Sequence, residues 1–312
     1  MLYQMTGTLN MADIASRLDV EDGGRTLLVA FAFMTIGLFI KMAVFPLHTW
    51  LPNAYTYAPD VVTAFIAATS TKISVYAFIR LIYGIFTPQF AFYTHPLDNA
   101  LLAMSLVGIF VASAAAIYQD NLKRLLAYSS IGQIGYMLLG IGLVSVGGLT
   151  ATIVHMFNHA LIKGGLFMAV GCFSLRIGSV KIDDLRGAAR TMPWTSLAFA
   201  IGGLGLIGVP LTAGFISKWY LLTSSFEVGR WPVAALMLVS SLLAVVYVWR
   251  VVETIYFAEP SELVSEAKEA PLTMLIPLYL VIGATVLFGL WPQWPVELAT
   301  NAAEFLFPES VQ

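Results

Sequence analysis

Long apolar stretches follow one another along most of the chain and are separated by short polar segments. A helix needs roughly 20 predominantly apolar residues to cross the hydrocarbon core of a bilayer. The pattern therefore predicts an all-α fold, an integral membrane helix bundle of about eight spans. The predicted spans are 26–43, 61–84, 99–118, 124–146, 150–175, 194–225, 232–256 and 273–291.

These spans predict three regions in the chain. A polar N-terminal segment covers 1–25, the transmembrane domain covers 26–292, and a C-terminal tail covers 293–312. Neither a second domain nor an internal repeat stands out in the sequence.

Two of the spans are predicted to be discontinuous. The sixth contains Gly208, Val209 and Pro210, and the first runs into Pro46 and Pro52. Proline removes a backbone donor and clashes with the preceding turn, so each helix is expected to break there. Broken helices are tolerated at membrane depth only inside protein or beside a water-filled cavity. Two breaks therefore favour a transport path, and a pair of simple proline kinks is the alternative.

The composition supports a membrane protein and disfavours several other classes. Hydrophobic residues make up 59% of the chain and charged residues 11%, against roughly 45–50% and 25% in soluble domains. The net charge of −2 gives no nucleic-acid-binding footprint. A single cysteine, Cys172, cannot form an internal disulfide or hold an iron–sulfur cluster. We therefore expect no redox cofactor and no nucleic-acid partner.

Basic residues are distributed unequally between the two sets of connecting segments. One set, near 57–60, 119–123, 176–192 and 257–271, holds Lys123, Arg124, Arg176, Lys181, Arg186, Arg190 and Lys268. The other set, including both termini, holds only Arg17, Arg25 and Arg230. Because Lys and Arg are enriched in cytoplasmic loops, the segments 119–123 and 176–192 are predicted to be cytoplasmic.

Several lysines occupy positions where charge is costly. Even on insertion scales a central charge costs ~2.5–3.5 kcal/mol. Lys72 lies in the middle of the second span, Lys41 and Lys218 border the two predicted breaks, and Lys123 begins a span. All four are candidate members of a proton relay. The alternatives are pairing with helix-end carbonyls and, for Lys123, a role as a cytoplasmic anchor.

The fifth span carries His155, His159 and Lys163 at positions i, i+4 and i+8. Residues at this spacing lie on one face of a helix, and histidine titrates near neutral pH. The row is therefore predicted to pass protons if water fills the gaps, and hydrogen-bonded packing is the alternative for the histidines. No metal site is expected, because no third ligand is evident and Lys163 would repel a cation.

The predicted intramembrane charges are almost all positive. Glu253 is the one central acid and is expected to pair with Arg250 one turn away. Asp120 is expected to cap a helix or to pair with Lys123. A relay of lysines needs a carboxylate to exchange protons with them. We expect a partner subunit or an upstream segment to supply it.

Four sequence blocks follow one another along the chain. They are KMAVFPLHTWLPNA at 41–54, DNLKRLLAYSS at 120–130, HMFNHALIK at 155–163 and GVPLTAGFISK at 208–218. These blocks resemble the antiporter-like membrane subunits, a family that includes proton-pumping subunits of respiratory complex I, large subunits of Mrp-type sodium/proton antiporters and relatives in membrane-bound hydrogenases. The segment 6–13, TGTLNMAD, is most similar to the D subunit of Mrp-type antiporters.

The resemblance implies a fourteen-helix subunit with two inverted repeats, two discontinuous helices, and lysines and histidines joined by water. By matching positions, Lys41 and Lys218 correspond to the residues at the two breaks and Lys72 to the central lysine of the helix after the first break. His155, His159 and Lys163 correspond to the middle of the relay.

Two departures from the family pattern accompany this resemblance. About six further helices are expected before residue 26, one with a glutamate that pairs with the lysine matched by Lys41. Asn53 stands where an aspartate is common. The chain is therefore expected to be a fragment or half of a split subunit.

Together these features predict a multi-pass subunit of the cytoplasmic membrane that moves protons or monovalent cations. The relay is predicted to comprise Lys41, Lys72, Lys123, His155, His159, Lys163 and Lys218. The expected setting is an Mrp-type complex in the lipid bilayer with other membrane subunits, with protons as the ion carried and Na⁺ as a candidate second ion. The alternatives are a complex I-like or hydrogenase subunit and a non-conducting scaffold. A quinone-binding redox enzyme is disfavoured, because no haem, iron–sulfur or flavin signature is present. The chain itself is therefore expected to be a transporter subunit rather than an enzyme.

Overall fold

The computed structural model describes residues 1–18 and 24–307, and within these ranges the chain is helical with no β-strand. Short π-helical turns cover Ile82–Phe86 and Gln89–Thr94, and 3₁₀ turns cover Asp183–Leu185 and Ala188–Arg190. The α-helices are α1 Leu2–Thr6, α2 Met11–Arg17, α3 Gly24–Met42, α4 Trp50–Tyr57, α5 Asp60–Leu81, α6 Leu97–Ile117, α7 Leu122–Gly142, α8 Val146–Ile177, α9 Pro193–Ile207, α10 Ala213–Glu227, α11 Trp231–Phe257, α12 Glu262–Ser265, α13 Leu272–Leu290 and α14 Gln293–Leu306.

Seven helices in the described part of the chain are long and apolar enough to cross a membrane. They are α3, α5 with its π-helical extension, α6, α7, α8, α11 and α13. The remaining predicted span, the sixth at 194–225, is divided between α9, a shorter apolar helix, and α10. The prediction of an all-α multi-pass membrane bundle is confirmed.

Both predicted helix breaks are present. α3 ends at Met42 and the chain becomes helical again only at Trp50. α9 ends at Ile207, where Gly208 adopts the left-handed conformation with a φ of 88°, and α10 begins at Ala213. Glycine is the usual residue in this capping conformation because it has no Cβ. Two half-helices therefore meet inside the bundle at the second break.

Helix α8 lies at the centre of the bundle. It packs against α5, α7, α9, α10, α13 and α14. It has 32 residues, so its length of about 48 Å exceeds the thickness of the hydrocarbon core. α7 packs beside it and is buried over 94% of its apolar stretch. Side chains on the inner faces of these two helices are therefore shielded from lipid.

The connections with the larger number of basic residues cluster at one end of the bundle. The amide of Leu122 donates to the carbonyl of Val180 at 2.8 Å. The amide of Ser261 donates to the carbonyl of Arg186 at 3.1 Å. The segments before α7, after α8 and after α11 thus lie at the same end of the bundle. The order of the predicted membrane spans places these three segments on one side of the membrane. That this side is cytoplasmic stays a prediction.

The two ends of the chain also contain helices. The predicted polar segment 1–25 includes α1 and α2, and its residues 19–23 lie outside the described residues. Most of the predicted tail 293–312 forms α14, which buries Pro295, Ala299 and Ala303. At 14 residues, α14 is too short to cross the bilayer.

Candidate functional site

The predicted row on α8 lies in the core of the bundle. The imidazole rings of His155 and His159 stack with centroids 5.9 Å apart and an angle of 3° between their planes. Both residues are buried, and Lys163, one turn further along, has no exposed surface. The spacing i, i+4, i+8 has therefore placed three titratable side chains on one internal face.

Lys163 is held by the neighbouring helix α7. Its ammonium group donates to the carbonyl oxygen of Leu126 at 2.7 Å and also to the hydroxyl of Ser129. The hydroxyls of Ser129 and Ser130 also donate to the carbonyl of Leu126, at 2.9 and 3.0 Å. A buried charge is tolerated only when polar groups surround it. The small serine-rich face of α7 supplies those groups.

At its other end the row is joined to the second helix break. His155 Nδ1 lies 2.8 Å from the hydroxyl oxygen of Ser217, which is buried in α10. The Asn158 side-chain amide donates to the carbonyl of Ala213 at 2.7 Å, where α10 begins. His155 and Asn158 of α8 therefore both contact the first turns of α10. Through this contact His155 lies next to Ser217, the residue that precedes Lys218.

Lys218 occupies the break between α9 and α10. Its ammonium group donates to the carbonyl of Ile207 at 2.7 Å and, more weakly, to the carbonyl of Leu206 and the hydroxyl of Ser241, both at 3.4 Å. It also lies 4.9 Å from the centroid of the Tyr136 ring. The last carbonyls of a helix lack intrahelical donors and carry partial negative charge. The end of α9 is thus a site for a cation.

Lys72 lies on α5, the helix that packs against α8. It is buried, and its ammonium group donates to the carbonyl of Ala67 on its own helix. One turn away, Ala68 lies 3.5 Å from where a Cβ at Gly164 would be. A Cβ at this position would be in ordinary van der Waals contact with Ala68, so α5 and α8 pack side by side next to Lys163. Lys72 thus lies where α5 and α8 are in contact.

Lys123 is buried and ion-paired at the end of the bundle where the basic connections cluster. Its ammonium group lies 2.5 Å from the carboxylate of Asp60, at the start of α5, and donates to the carbonyl of Ala58 at 3.0 Å. Sequence reasoning missed Asp60, because the two partners lie far apart along the chain. The expected pairing of Lys123 with Asp120 is wrong.

The expected pair of Arg250 with Glu253 is also wrong. The Arg250 guanidinium donates to the carboxylate of Asp120 at 2.9 Å and to the carbonyl of Ile117 at 2.7 Å. Ile117 is the last residue of α6 and Asp120 lies three residues beyond it, and α6 packs against α11. Arg250 therefore pairs with a residue next to the neighbouring helix α6 and not with Glu253, one turn away on its own helix.

Lys41 differs from the other predicted relay residues. It lies in the last turn of α3 and is exposed on the surface of the described chain, as is Asn53. The structure thus brings together the predicted residues on α5, α8 and α10 and leaves Lys41 and Lys123 at separate places. The five residues brought together are Lys72, His155, His159, Lys163 and Lys218.

Several buried polar atoms of the core have no hydrogen-bond partner among the described residues. They include Nε2 of His155, both ring nitrogens of His159, the Asn158 side-chain oxygen and the Thr71 hydroxyl. Buried polar atoms are normally satisfied by protein groups or by ordered water. Water molecules could bind to these atoms inside the otherwise apolar core. Asn158 could have been found from its i+3 spacing to His155 on the same face.

The part of the chain that the structure describes contains no cluster of three or more His, Cys, Asp or Glu side chains that could hold a metal ion. The histidines face a lysine rather than a carboxylate. The titratable groups of the row are two imidazoles and one ammonium group, each of which can bind or release a proton.

Comparisons with known proteins identify the class of membrane protein. The family model described as NADH:quinone oxidoreductase/Mrp antiporter, TM, matches residues 1–244. The chain is 40% identical to NADH-quinone oxidoreductase subunit N of Desulforudis audaxviator over 98% of its own length and 63% of that protein. It is 28% identical to the D subunit of the Na(+)/H(+) antiporter of Alkalihalophilus pseudofirmus over 100% of its length and 60% of that protein.

A solved structure agrees with these matches. The fold superposes on a chain of the Mrp complex from Dietzia sp. DQ12-45-1b with a TM-score of 0.89 and 26% identity. The match covers 99% of this chain and 64% of the other. In all three comparisons this chain spans less than two thirds of the length of the protein that it matches.

Proposed function

The chain belongs to the NADH:quinone oxidoreductase/Mrp antiporter family, and on that basis we propose that it is an ion-translocating membrane subunit whose buried lysine and histidine row carries protons. One observation supports this most strongly. The α8 row is linked through the 2.8 Å contact of His155 with Ser217 to the helix that carries Lys218. Titratable groups inside the membrane that face the bundle interior are typical of proton pathways.

In the proposed mechanism the row exchanges protons between neighbouring groups. Lys163 holds a proton between the Leu126 carbonyl and the Ser129 hydroxyl. His159 has two unpartnered ring nitrogens and accepts or releases a proton through water on either side. His155 and the Ser217 hydroxyl then continue the path to the second helix break, where Lys218 binds at the end of α9.

We propose that Lys72 and Lys41 extend the path beyond α8. Lys72 lies on the helix that packs against the row. Lys41 is exposed at the end of α3, so a carboxylate that exchanges protons with it would come from a part of the assembly outside this chain. We further propose that Lys123, paired with Asp60, controls access at the end of the bundle that is predicted to be cytoplasmic.

Two settings for this activity are each supported by a comparison. The D subunit of a Na(+)/H(+) antiporter and the Mrp complex support an antiporter that exchanges protons for a monovalent cation such as Na⁺. Subunit N of an NADH-quinone oxidoreductase, with its higher identity of 40%, supports a proton-pumping assembly. In both settings the partners are other membrane subunits of a hetero-oligomeric complex in the cell membrane. Proton movement in membrane vesicles driven by added Na⁺ favours the first, and movement driven by NADH oxidation favours the second.

The proposal is tested by replacing Lys218 with alanine and measuring proton movement in vesicles of the native membrane with a pH-sensitive dye. Lys181→Ala is the matched control, because Lys181 is exposed in the connection after α8. Loss of proton movement in the first variant alone, with normal assembly of the complex, supports transport. Unchanged movement in both variants means that the chain is a non-conducting scaffold.

A further inference from the structure

A carboxylate outside the relay binds the start of α9, the first half of the broken helix. One Glu269 oxygen accepts from the backbone amides of Trp194 at 2.7 Å and Thr195 at 3.4 Å. The other accepts from the Thr195 hydroxyl at 2.6 Å and the Ala270 amide at 2.8 Å. Glu269 thus satisfies amides in the first turn of α9, which have no intrahelical acceptor.

The opposite end of the same helix binds Lys218. The amides of Gly208 and Val209 both donate to the carbonyl of Leu204, at 2.9 and 3.1 Å. The carbonyls of Leu206 and Ile207 are instead bound by the Lys218 ammonium group. With 15 residues, α9 is about 22 Å long. A carboxylate and an ammonium group therefore occupy the two ends of one short helix, each at the end whose partial charge it complements.

The sequence of α9 makes these end contacts important. The helix contains Gly202, Gly203 and Gly205, and glycine is among the least favourable residues for a helix interior. Gly205 and Gly214 are in such close contact that a Cβ at position 214 would overlap the carbonyl oxygen of Gly205. Small residues thus allow α9 and α10 to approach but contribute little to the stability of α9. Contacts at the two ends of α9 therefore supplement its packing against α8, α11 and α13.

We propose that Glu269 is a positioning residue for Lys218. By capping the first turn of α9 with a negative charge, it holds the helix and its dipole so that the Leu206 and Ile207 carbonyls bind the ammonium group during transport. The proposal rests on the proposed function, because it assigns Glu269 a role in proton movement only through Lys218. In this role the Glu269 carboxylate acts on the Lys218 ammonium group from the opposite end of α9.

The test compares variants in the complete membrane complex by proton movement in vesicles. Glu269→Gln keeps an acceptor oxygen and removes the charge, and we expect proton movement to fall roughly two- to fivefold. Glu269→Asp should retain most of it. Glu266→Gln is the matched control, because Glu266 is exposed in the same connection and should give wild-type movement. Full activity of Glu269→Gln would overturn the proposal.

A second pair of variants separates the charge from a simple role of Glu269 in anchoring the connection before α13. Trp194 is exposed in the first turn of α9, so Trp194→Glu adds a carboxylate there without restoring the contacts of Glu269. In the Glu269→Gln background, Trp194→Glu should raise proton movement and Trp194→Gln should not. Equal movement in the two double variants would contradict the proposed role, even if Glu269→Gln alone assembles poorly.

Failure of this inference is distinguishable from failure of the proposed function. If Lys218→Ala moves protons normally, the proposed function is wrong. If Lys218→Ala is inactive and Glu269→Gln is fully active, only the role of Glu269 is wrong.

Discussion

His155 Nδ1 lies 2.8 Å from the hydroxyl oxygen of Ser217, and this contact joins the central helix α8 to the half-helix that carries Lys218. It is the direct side-chain link by which the histidine row reaches the second helix break. In the proposed path, a proton moves between the histidine row and Lys218 through this contact.

The first prediction concerns this contact. Ser217→Ala removes the hydroxyl and leaves Nδ1 of a buried histidine without its partner. We expect proton movement in vesicles to fall about five- to tenfold, the equivalent of one hydrogen bond of ~1–1.5 kcal/mol. Ser217→Thr, which keeps a hydroxyl, should retain more activity than Ser217→Ala.

A matched control for the first prediction lies on the same helix. Ser225 is also buried, but the one acceptor of its hydroxyl among the described residues is the carbonyl of Leu221 within α10, at 2.8 Å. Ser225→Ala should therefore leave proton movement unchanged. If proton movement falls equally in Ser217→Ala and Ser225→Ala, the loss reflects a general sensitivity of α10 to substitution. That result would contradict a specific role of the Ser217 hydroxyl.

The second prediction concerns the close crossing of the two half-helices. Gly214→Ala places a Cβ against the carbonyl oxygen of Gly205, so α9 and α10 must separate. We expect a loss of about 1–3 kcal/mol in the free energy of unfolding and a lower midpoint of thermal unfolding in detergent. Gly283→Ala on α13 is the control, because a Cβ there has no neighbour within 4 Å. If Gly214→Ala and Gly283→Ala have the same free energy of unfolding, α9 and α10 are not in close contact at Gly205 and Gly214.

The third prediction concerns the ion pair of Lys123 with Asp60, whose side chains are 9% and 29% exposed. Lys123→Met leaves a partly buried carboxylate unpaired, and Asp60→Asn leaves a buried ammonium group unpaired. We expect each change to cost about 1–3 kcal/mol of unfolding free energy. The double variant should lose less unfolding free energy than the two single variants added together, because the effects of substituting two residues in contact are not additive.

The control for the third prediction is the exposed pair of Arg190 and Glu259, whose side chains are 53% and 82% exposed. Exposed ion pairs contribute little, ~0–1 kcal/mol. Single and double variants of this pair should therefore unfold at nearly the wild-type temperature. Strict additivity at Lys123 and Asp60 would mean that their contact does not stabilise the protein.

Features encoded locally in the sequence could be predicted, and contacts between distant segments could not. The spans follow from runs of apolar residues, and the second break follows from Gly208 and Pro210. The α8 row follows from its i, i+4 spacing. Asp60 could not be assigned to Lys123 from the sequence, because only the packing of α5, α4 and α7 brings them together.

The same limit applies to the partners of the buried lysines and histidines. Ser129 and Ser217 are small residues that are common on helix faces in membranes, and nothing in their own segments indicates a link to Lys163 or His155. The pairing of Arg250 was predicted with Glu253 from helical spacing, and the interhelical contact with Asp120 replaced it. Packing between helices decided each of these cases.

If the buried row on α8 carries protons, then the ammonium group of Lys163 is indispensable for proton movement. Lys163→Met replaces a fully buried ammonium group with an apolar side chain of similar length. Burial of a charge is costly, and the Leu126 carbonyl still accepts from the hydroxyls of Ser129 and Ser130 after the substitution. Proton movement and thermal unfolding of the assembled complex are measured together. The account predicts that movement falls to the level of vesicles lacking the chain, while the unfolding temperature stays equal or rises. Undiminished proton movement in an assembled Lys163→Met complex would contradict it.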